Sequence, residues 1–174
     1  MTGISWHEGC PVPISDLRVL DLVHWTDDGT TQPGQIVLHK DHVESARQAF
    51  SALFEQRFPI TSITPIRAYN GDDDASMAAD NTSGFNCRPV PGTSRVSEHA
   101  KGMAIDINPL RNPFVRGTSV MPPAGRDWLD RSDIRPGMLT AGDNAVQAFR
   151  TAGWRWGGTW RSSKDYQHFS ITGR

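Results

Sequence analysis

The chain has 174 residues and a net charge of −1, with 37% hydrophobic and 21% charged residues. That length suits a single domain able to bury about two thirds of its unfolded surface, and an apolar content of this size with six tryptophans excludes a disordered chain. Without a dense run of Lys and Arg there is no electrostatic footprint for nucleic acid or an anionic membrane. The N-terminal stretch "MTGISWHEGCPVPISDLRVLDLVHW" lacks a basic start followed by an apolar run of secretory length. No transmembrane segment is expected, since nowhere do roughly eighteen apolar residues follow one another. Two cysteines, Cys10 and Cys87, are too few for a disulfide framework; free thiols are the favoured reading, and a single bridge stays open should the two lie close.

In chain order, "GQIVLHK" (34–40) reads as a strand. A helix follows, opened by a capping box of Asp41 and Glu44, carrying Val43, Ala46, Phe50, Leu53 and Phe54 at helical spacing, and closed by Pro59. Residues 60–70 have strand character. The polar passage "GDDDASMAADNTSGFNCRPVPGTSR" reads as a long functional or mobile loop. Within it, "DDD" lacks the spacing of a calcium loop, and "NTS" at 81–83 is a chance glycosylation match. "GMAIDINP" is a strand closed by Pro109, and residues 111–137 are expected to be irregular because of their prolines. "AGDNAVQAFRTAG" (141–153) is a second helix stopped by Gly153. "WRWGG" and "YQHFSI" are two final strands. No strand–helix alternation with glycine-rich turns is present. The expected fold is therefore α+β: a single domain over 1–174, a central mostly antiparallel sheet with helices on one side, and residues 1–33 as an N-terminal extension packed on it.

The stretch "SEHAKGMAID" (97–106) places His99 and Asp106 seven positions apart. On a straight strand their Cα atoms would stand roughly 23 Å apart, and on a helix about 10 Å. Either separation is too large for one ion, so a shared site requires a bend, and Gly102 is where the chain can make it. Beyond the bend, Met103, Ile105 and Ile107 alternate with Ala104, Asp106 and Asn108. The apolar trio faces the core and aims Asp106 at whatever His99 approaches.

Four histidines, His7, His24, His39 and His42, read as surface or structural. His168 differs, because in "DYQHFSI" Phe169 and Ile171 face the core while His168 faces away with Tyr166 and Ser170. Two histidines and one carboxylate leave one tetrahedral position open, as in catalytic zinc. Asp165, three residues before His168, can then exchange a proton with water activated there.

These residues resemble the zinc D-alanyl-D-alanine carboxypeptidases and L-alanyl-D-glutamate endopeptidases that cut peptidoglycan stem peptides, phage endolysins and vancomycin-resistance peptidases among them. The family pattern His-x-x-Gly-x-Ala-x-Asp stands here as "HAKGMAID", and its second motif as "WRWGGTWRSSKDYQHF". The resemblance covers about residues 64–171 and implies the fold shared by D,D-peptidases and hedgehog-like domains. It implies one Zn2+ held by His99, Asp106 and His168, with Asp165 as general acid/base. Arg88 is expected to polarise the scissile carbonyl or hold a substrate carboxylate; its competing reading is an ion pair with Asp72, Asp73 or Asp74. Ser97, Trp160 and Tyr166 complete the expected substrate-binding set.

Within the family that these motifs resemble, D-alanine-trimming members often carry glutamate at the acid/base position and L-alanyl-D-glutamate endopeptidases more often the Asp-x-x-His seen here, so the resemblance implies an L-alanyl-D-glutamate endopeptidase over a D-alanyl-D-alanine carboxypeptidase. A catalytically inactive zinc-binding domain and a metal-free structural domain are the competing classes. The expected partner is a peptidoglycan peptide, met by a monomer at the bacterial cell wall. Since no export signal is visible, delivery would follow phage-type release or removal of a signal.

Overall fold

The computed structural model describes residues 1–174. A long antiparallel hairpin opens the fold: β1 (Leu17–Trp25) pairs with β2 (Thr31–His39) from Leu17↔His39 to Trp25↔Thr31. Helix α1 (Val43–Glu55) follows, with Ala46, Ala49, Phe50 and Leu53 buried on one stripe. The expected capping box does not form. His42 stands at the N-cap without a side-chain bond, and Asp41 belongs to a preceding 3-10 turn where its N–H donates to His39 Nδ1 at 3.3 Å.

Only Ser62–Ile63 (β3) of the 60–70 stretch is strand, because Pro65 leads into a 3-10 turn over Ile66–Tyr69. The supposed long loop contains helix α2 (Asp73–Ala78) and strand β4 (Asn81–Thr82). Asp72 caps α2, accepting from Ala75 N at 3.0 Å, so the acidic run is a helix start. Residues 80–86 are all buried. This polar segment tolerates burial because its side chains find partners: Asn81 Nδ2 donates to Thr64 O and Ser76 Oγ while its Oδ1 accepts from Thr64 N.

Strand β5 (Ala104–Asp106) is followed by a hairpin of β6 (Phe114–Arg116) and β7 (Ser119–Met121) inside the stretch expected to be irregular. Helix α3 (Asn144–Thr151) is capped by Asp143, whose Oδ1 accepts from Val146 N at 2.6 Å, and Gly153 at φ +93° follows its end as expected. The chain ends through β8 (Arg155–Trp156), β9 (Lys164–Asp165) and β10 (His168–Ser170).

The architecture is mixed α+β, but the single central sheet does not exist. Four small sheets replace it: β1-β2, β5-β10-β8, β7-β6-β9 and the parallel pair β3-β4. The physical reason lies in side chains that take over backbone hydrogen bonding where prolines and turns break the ladders. Asn108, at φ +43°, donates to Pro59 O and Gly137 O and accepts from Thr61 N. Asn112 donates to Ile107 O and Gly137 O and accepts from Leu139 N. Both are fully buried.

One core cluster of 18 residues joins these pieces, including Leu20 of β1, Ile36 and Leu38 of β2, Phe50 of α1, Ile105, Phe149 of α3, Trp156 and Phe169. Phe50 meets Phe149 edge-on at 5.6 Å, and Phe149 stacks on Phe169 at 4.2 Å. This packing sets the three-stranded sheet β5-β10-β8 with one face on the core and leaves its other face for the site.

Cys10 and Cys87 form a disulfide, so the alternative the sequence left open holds and the favoured free thiols do not. The N-terminal segment meets the chain just after the buried 80–86 stretch, with Cys87 N donating to Ser5 O at 3.1 Å. Two cysteines so placed suffice for one bridge even though their number predicts no framework.

Candidate metal centre

His99 begins a 3-10 turn (His99–Lys101) that ends at Gly102, which has φ +68°. The bend depends on glycine twice: the left-handed backbone disfavours a side chain, and an added Cβ would lie 2.5 Å from His39 N. His39 N in turn donates to Gly102 O at 2.9 Å, pinning the turn to the end of β2. Past it, Ile105 and Ile107 enter the core as the alternation predicts, while Met103 next to the bend stays half-buried outside the core cluster. Asp106 and His168 are direct cross-strand partners in the β5–β10 register. Two side chains seven and sixty-nine positions from His99 thus converge on it through one bend and one strand pairing.

The three side chains are buried together. His99 Nε2 lies 3.1 Å from Asp106 Oδ2 and 3.3 Å from His168 Nδ1, and His168 Nδ1 lies 3.0 Å from Asp106 Oδ1. Donors placed 2.0–2.2 Å from a tetrahedral zinc stand roughly 3.3–3.5 Å from one another, so the cluster is close to that size without rearrangement. The remaining ring nitrogens fix the tautomers. His99 Nδ1 donates to Gly84 O at 2.7 Å, and His168 Nε2 donates to Arg174 O at 2.9 Å. Carbonyl oxygens can only accept, which turns the lone pairs of His99 Nε2 and His168 Nδ1 toward the shared centre, the usual outer-shell arrangement for metal-binding histidine.

The electrostatics point the same way. Burial alone would raise the Asp106 pKa, but the neighbouring His99 and His168 outweigh it and hold the carboxylate ionised far below its usual range. Burial alone would lower His168, yet its hydrogen bond to Asp106 and that residue's charge push it up to about 9. Three acceptor-type atoms facing one point demand positive charge. A proton on His168 or a divalent cation can supply it, and the cation binds with release of that proton.

Asp165 ends β9, paired with Phe114 of β6, three residues before His168. Its Oδ1 is buried and has no hydrogen-bond partner. Burial and the negative charge of Asp106 raise its pKa to about 7, against the lowering effect of His168 and His99. The backbone at Gly157 presses on this pair: a Cβ there would lie 2.8 Å from Asp165 O, 2.9 Å from Asp165 Cβ and 3.3 Å from His168 Cβ.

The other expected site residues divide. Trp160 reaches the cluster, its ring 5.5 Å from that of His168. Ser97 is buried just before it, but its Oγ accepts from His99 N at 3.2 Å and so shapes the turn. Arg88 takes the competing ion pair, with Nη2 2.6 Å from Asp73 Oδ2, and its Nε has no partner. Tyr166 packs beside Trp156 and under the Arg131 guanidinium rather than against the His99–Asp106–His168 cluster. None of His7, His24, His39 and His42 joins the cluster; His7 lies beside the Cys10–Cys87 bridge. Sequence reasoning missed the carbonyls of Gly84 and Arg174, since any residue carries one. It also missed the steric role of Gly157, whose only signal was the Gly-Gly doublet after Trp156.

Residues 91–171 match the family model described as D-alanyl-D-alanine carboxypeptidase. No curated protein and no solved structure matches the chain. The matched segment contains all three members of the buried cluster together with Asp165. Residues 91–171 form a domain of the D-alanyl-D-alanine carboxypeptidase family, and this metallopeptidase domain carries the candidate His99–Asp106–His168 metal site.

Proposed function

We propose that the chain is a one-zinc peptidase that hydrolyses amide bonds of peptidoglycan stem peptides, with His99, Asp106 and His168 as metal ligands and Asp165 as general acid/base. The observation that carries this reading is the convergence of three lone-pair atoms at 3.0–3.3 Å, two of them on imidazoles whose other nitrogens are tied to carbonyls. Two imidazoles and one carboxylate suit zinc among the common divalent ions. Bound there, zinc supplies a Lewis acid that polarises a carbonyl and brings the pKa of water down to about 7.

The chain's own groups supply the rest. Asp165 Oδ1, buried and without a partner, accepts the proton of the attacking water and later delivers it to the leaving amine. A carboxyl whose pKa lies at about 7 suits both directions of transfer near neutrality. His99 and His168 stay fixed during the reaction because Gly84 O and Arg174 O hold their outer nitrogens. Trp160 walls one side of the cleft and keeps bulk water from it. Arg88, paired with Asp73 but with Nε unpaired, is the proposed donor to a substrate carboxylate or the scissile carbonyl.

The resemblance of the Asp-x-x-His at 165–168 to that of L-alanyl-D-glutamate endopeptidases favours cleavage of the L-alanyl-D-glutamate bond. The description of the matching family favours the second reading, release of terminal D-alanine. Action at the bacterial wall fits the family and the Cys10–Cys87 disulfide, a bond that persists in oxidising compartments. No helix is long and apolar enough to cross a membrane.

Digestion of purified peptidoglycan by zinc-loaded wild type and Asp165→Ala, with mass spectrometry of the products, tests the proposal. New L-alanine and D-glutamate ends absent with the variant support the endopeptidase; free D-alanine supports the carboxypeptidase. No cleavage by wild type with zinc bound refutes both.

A further inference from the structure

The sheet β5-β10-β8 has two unlike faces. Ile105, Phe169 and Trp156 turn into the core. The opposite face carries Asp106 and His168 and, two positions further along β10, Ser170, whose partner on β8 is Arg155. Arg155 therefore shares the metal-bearing face. Its side chain is exposed and lies over Gly173, where an added Cβ would come within 2.8 Å of Arg155 Cδ. Arg161 is exposed directly after Trp160, the residue that flanks His168. Lys164 Nζ donates to Trp160 O at 2.7 Å on the same side.

Several cations elsewhere are neutralised, Lys40 by Asp16, Arg88 by Asp73, Lys101 by Glu98, and Arg111 by Asp27 and Asp80. Arg155, Arg161, Lys164 and Arg174 form no ion pair at all. From Asn144 to Arg174 the sequence holds five Lys and Arg and a single carboxylate, Asp165 itself, in a chain of net charge −1. The negative charge is thus held by the rest of the molecule. Unpaired like charges repel one another, and gathered at the lip of a cleft they create a local positive potential that draws anions.

Resting on the peptidase reading above, we propose that this lip is a recognition subsite for a free carboxylate of an acidic peptide substrate, beside the bond cut at the metal cluster. An acidic peptide suits it better than a long polyanion. The excess of cations belongs to residues 144–174, and a polymer of repeating charge would have to run on over the rest of the chain, which is net negative. Guanidinium forks match carboxylates in geometry and hold them without fixing the rest of the peptide.

The test uses the full chain and the double variant Arg155→Gln/Arg161→Gln, with two zinc-loaded assays. One substrate is a stem peptide whose D-glutamate carries its free α-carboxylate, the other the same peptide with that group amidated. The wild-type preference for the free acid, read as a ratio of kcat/KM values, should fall about 3- to 20-fold in the variant at low salt, as expected for losing two exposed charge contacts. Raising the salt should shrink the difference. Equal losses on both peptides, or none, would overturn the proposal. So would a loss seen only on intact walls carrying phosphodiester polymers, which would make such a polymer the occupant. Equilibrium titration of the free-acid and amidated peptides into Asp165→Asn chains, with and without the two Arg substitutions, reads the lip independently of cleavage. If neither peptide is cut, the peptidase reading fails, while the binding difference still decides the subsite.

Discussion

Gly157→Ala gives a direct measure of how tightly the fold positions its site. Gly157 is not among the glycines with positive φ, so alanine carries no backbone penalty there and only the space matters. The new Cβ would meet Asp165 O at 2.8 Å, Asp165 Cβ at 2.9 Å and His168 Cβ at 3.3 Å. Relaxed carbon–carbon contacts begin near about 3.5 Å, so one side must retreat by roughly 0.6 Å. The atoms in the way belong to the backbone and Cβ positions of Asp165 and His168, not to the end of a flexible side chain, and the neighbouring turn is held by Trp156 Nε1 donating to Tyr166 O at 2.8 Å. Overpacking of this kind costs about 1–3 kcal/mol, and a displacement near 1 Å at a reacting group costs about 100-fold in rate. The expected result is a loss of about 10- to 100-fold in kcat/KM on a stem-peptide substrate, with a urea midpoint lowered by an amount equivalent to about 1–3 kcal/mol. Wild-type kinetics within about twofold, together with an unchanged midpoint, would refute the steric argument.

Two further outcomes follow from the charge cluster and the disulfide. Asp165 has its folded pKa raised from 3.8 to about 7, and His168 is raised from 6.5 to about 9. A raised pKa stabilises the fold below the unfolded value and loses that contribution as pH rises through the folded value. The chelator-treated chain should therefore lose stability between about pH 4 and pH 9, and saturating zinc should flatten that slope; urea midpoints that rise over this range without metal would contradict the electrostatic reading. Below this window the sign reverses for Asp106, whose depressed pKa makes its contribution disappear on acidification. The Cys10–Cys87 bridge closes a sequence separation of 77 residues. Replacing both cysteines with serine should cost roughly 3–5 kcal/mol in denaturant unfolding, and an unchanged midpoint would mean that the N-terminal segment contributes little to the cooperative unit.

Much of the site could be read from residue spacing, because its geometry is local in origin. A glycine bend after His99, alternation through Ile105, Asp106 and Ile107, and the outward register of His168 against Phe169 are consequences of backbone periodicity, and the structure keeps each of them. Helix α3 was legible for the same reason, its stripe of Ala145, Val146 and Phe149 lying between a capping Asp143 and Gly153. The expected capping box at α1 failed because a 3-10 turn drew Asp41 away from the helix start.

What the sequence by itself determined was the chemistry: which side chains could act as ligands, where the chain must bend, and which faces seek the core. Only the tertiary structure decided the arrangement of strands into four small sheets, the pairing of Cys10 with Cys87, and the burial of the polar 80–86 segment. It alone supplied Gly84 O and Arg174 O as the acceptors that orient the two imidazoles. These features share one physical cause. They depend on backbone carbonyls and on side chains such as Asn81, Asn108 and Asn112 that satisfy buried groups far away in sequence, and no local period records such partners.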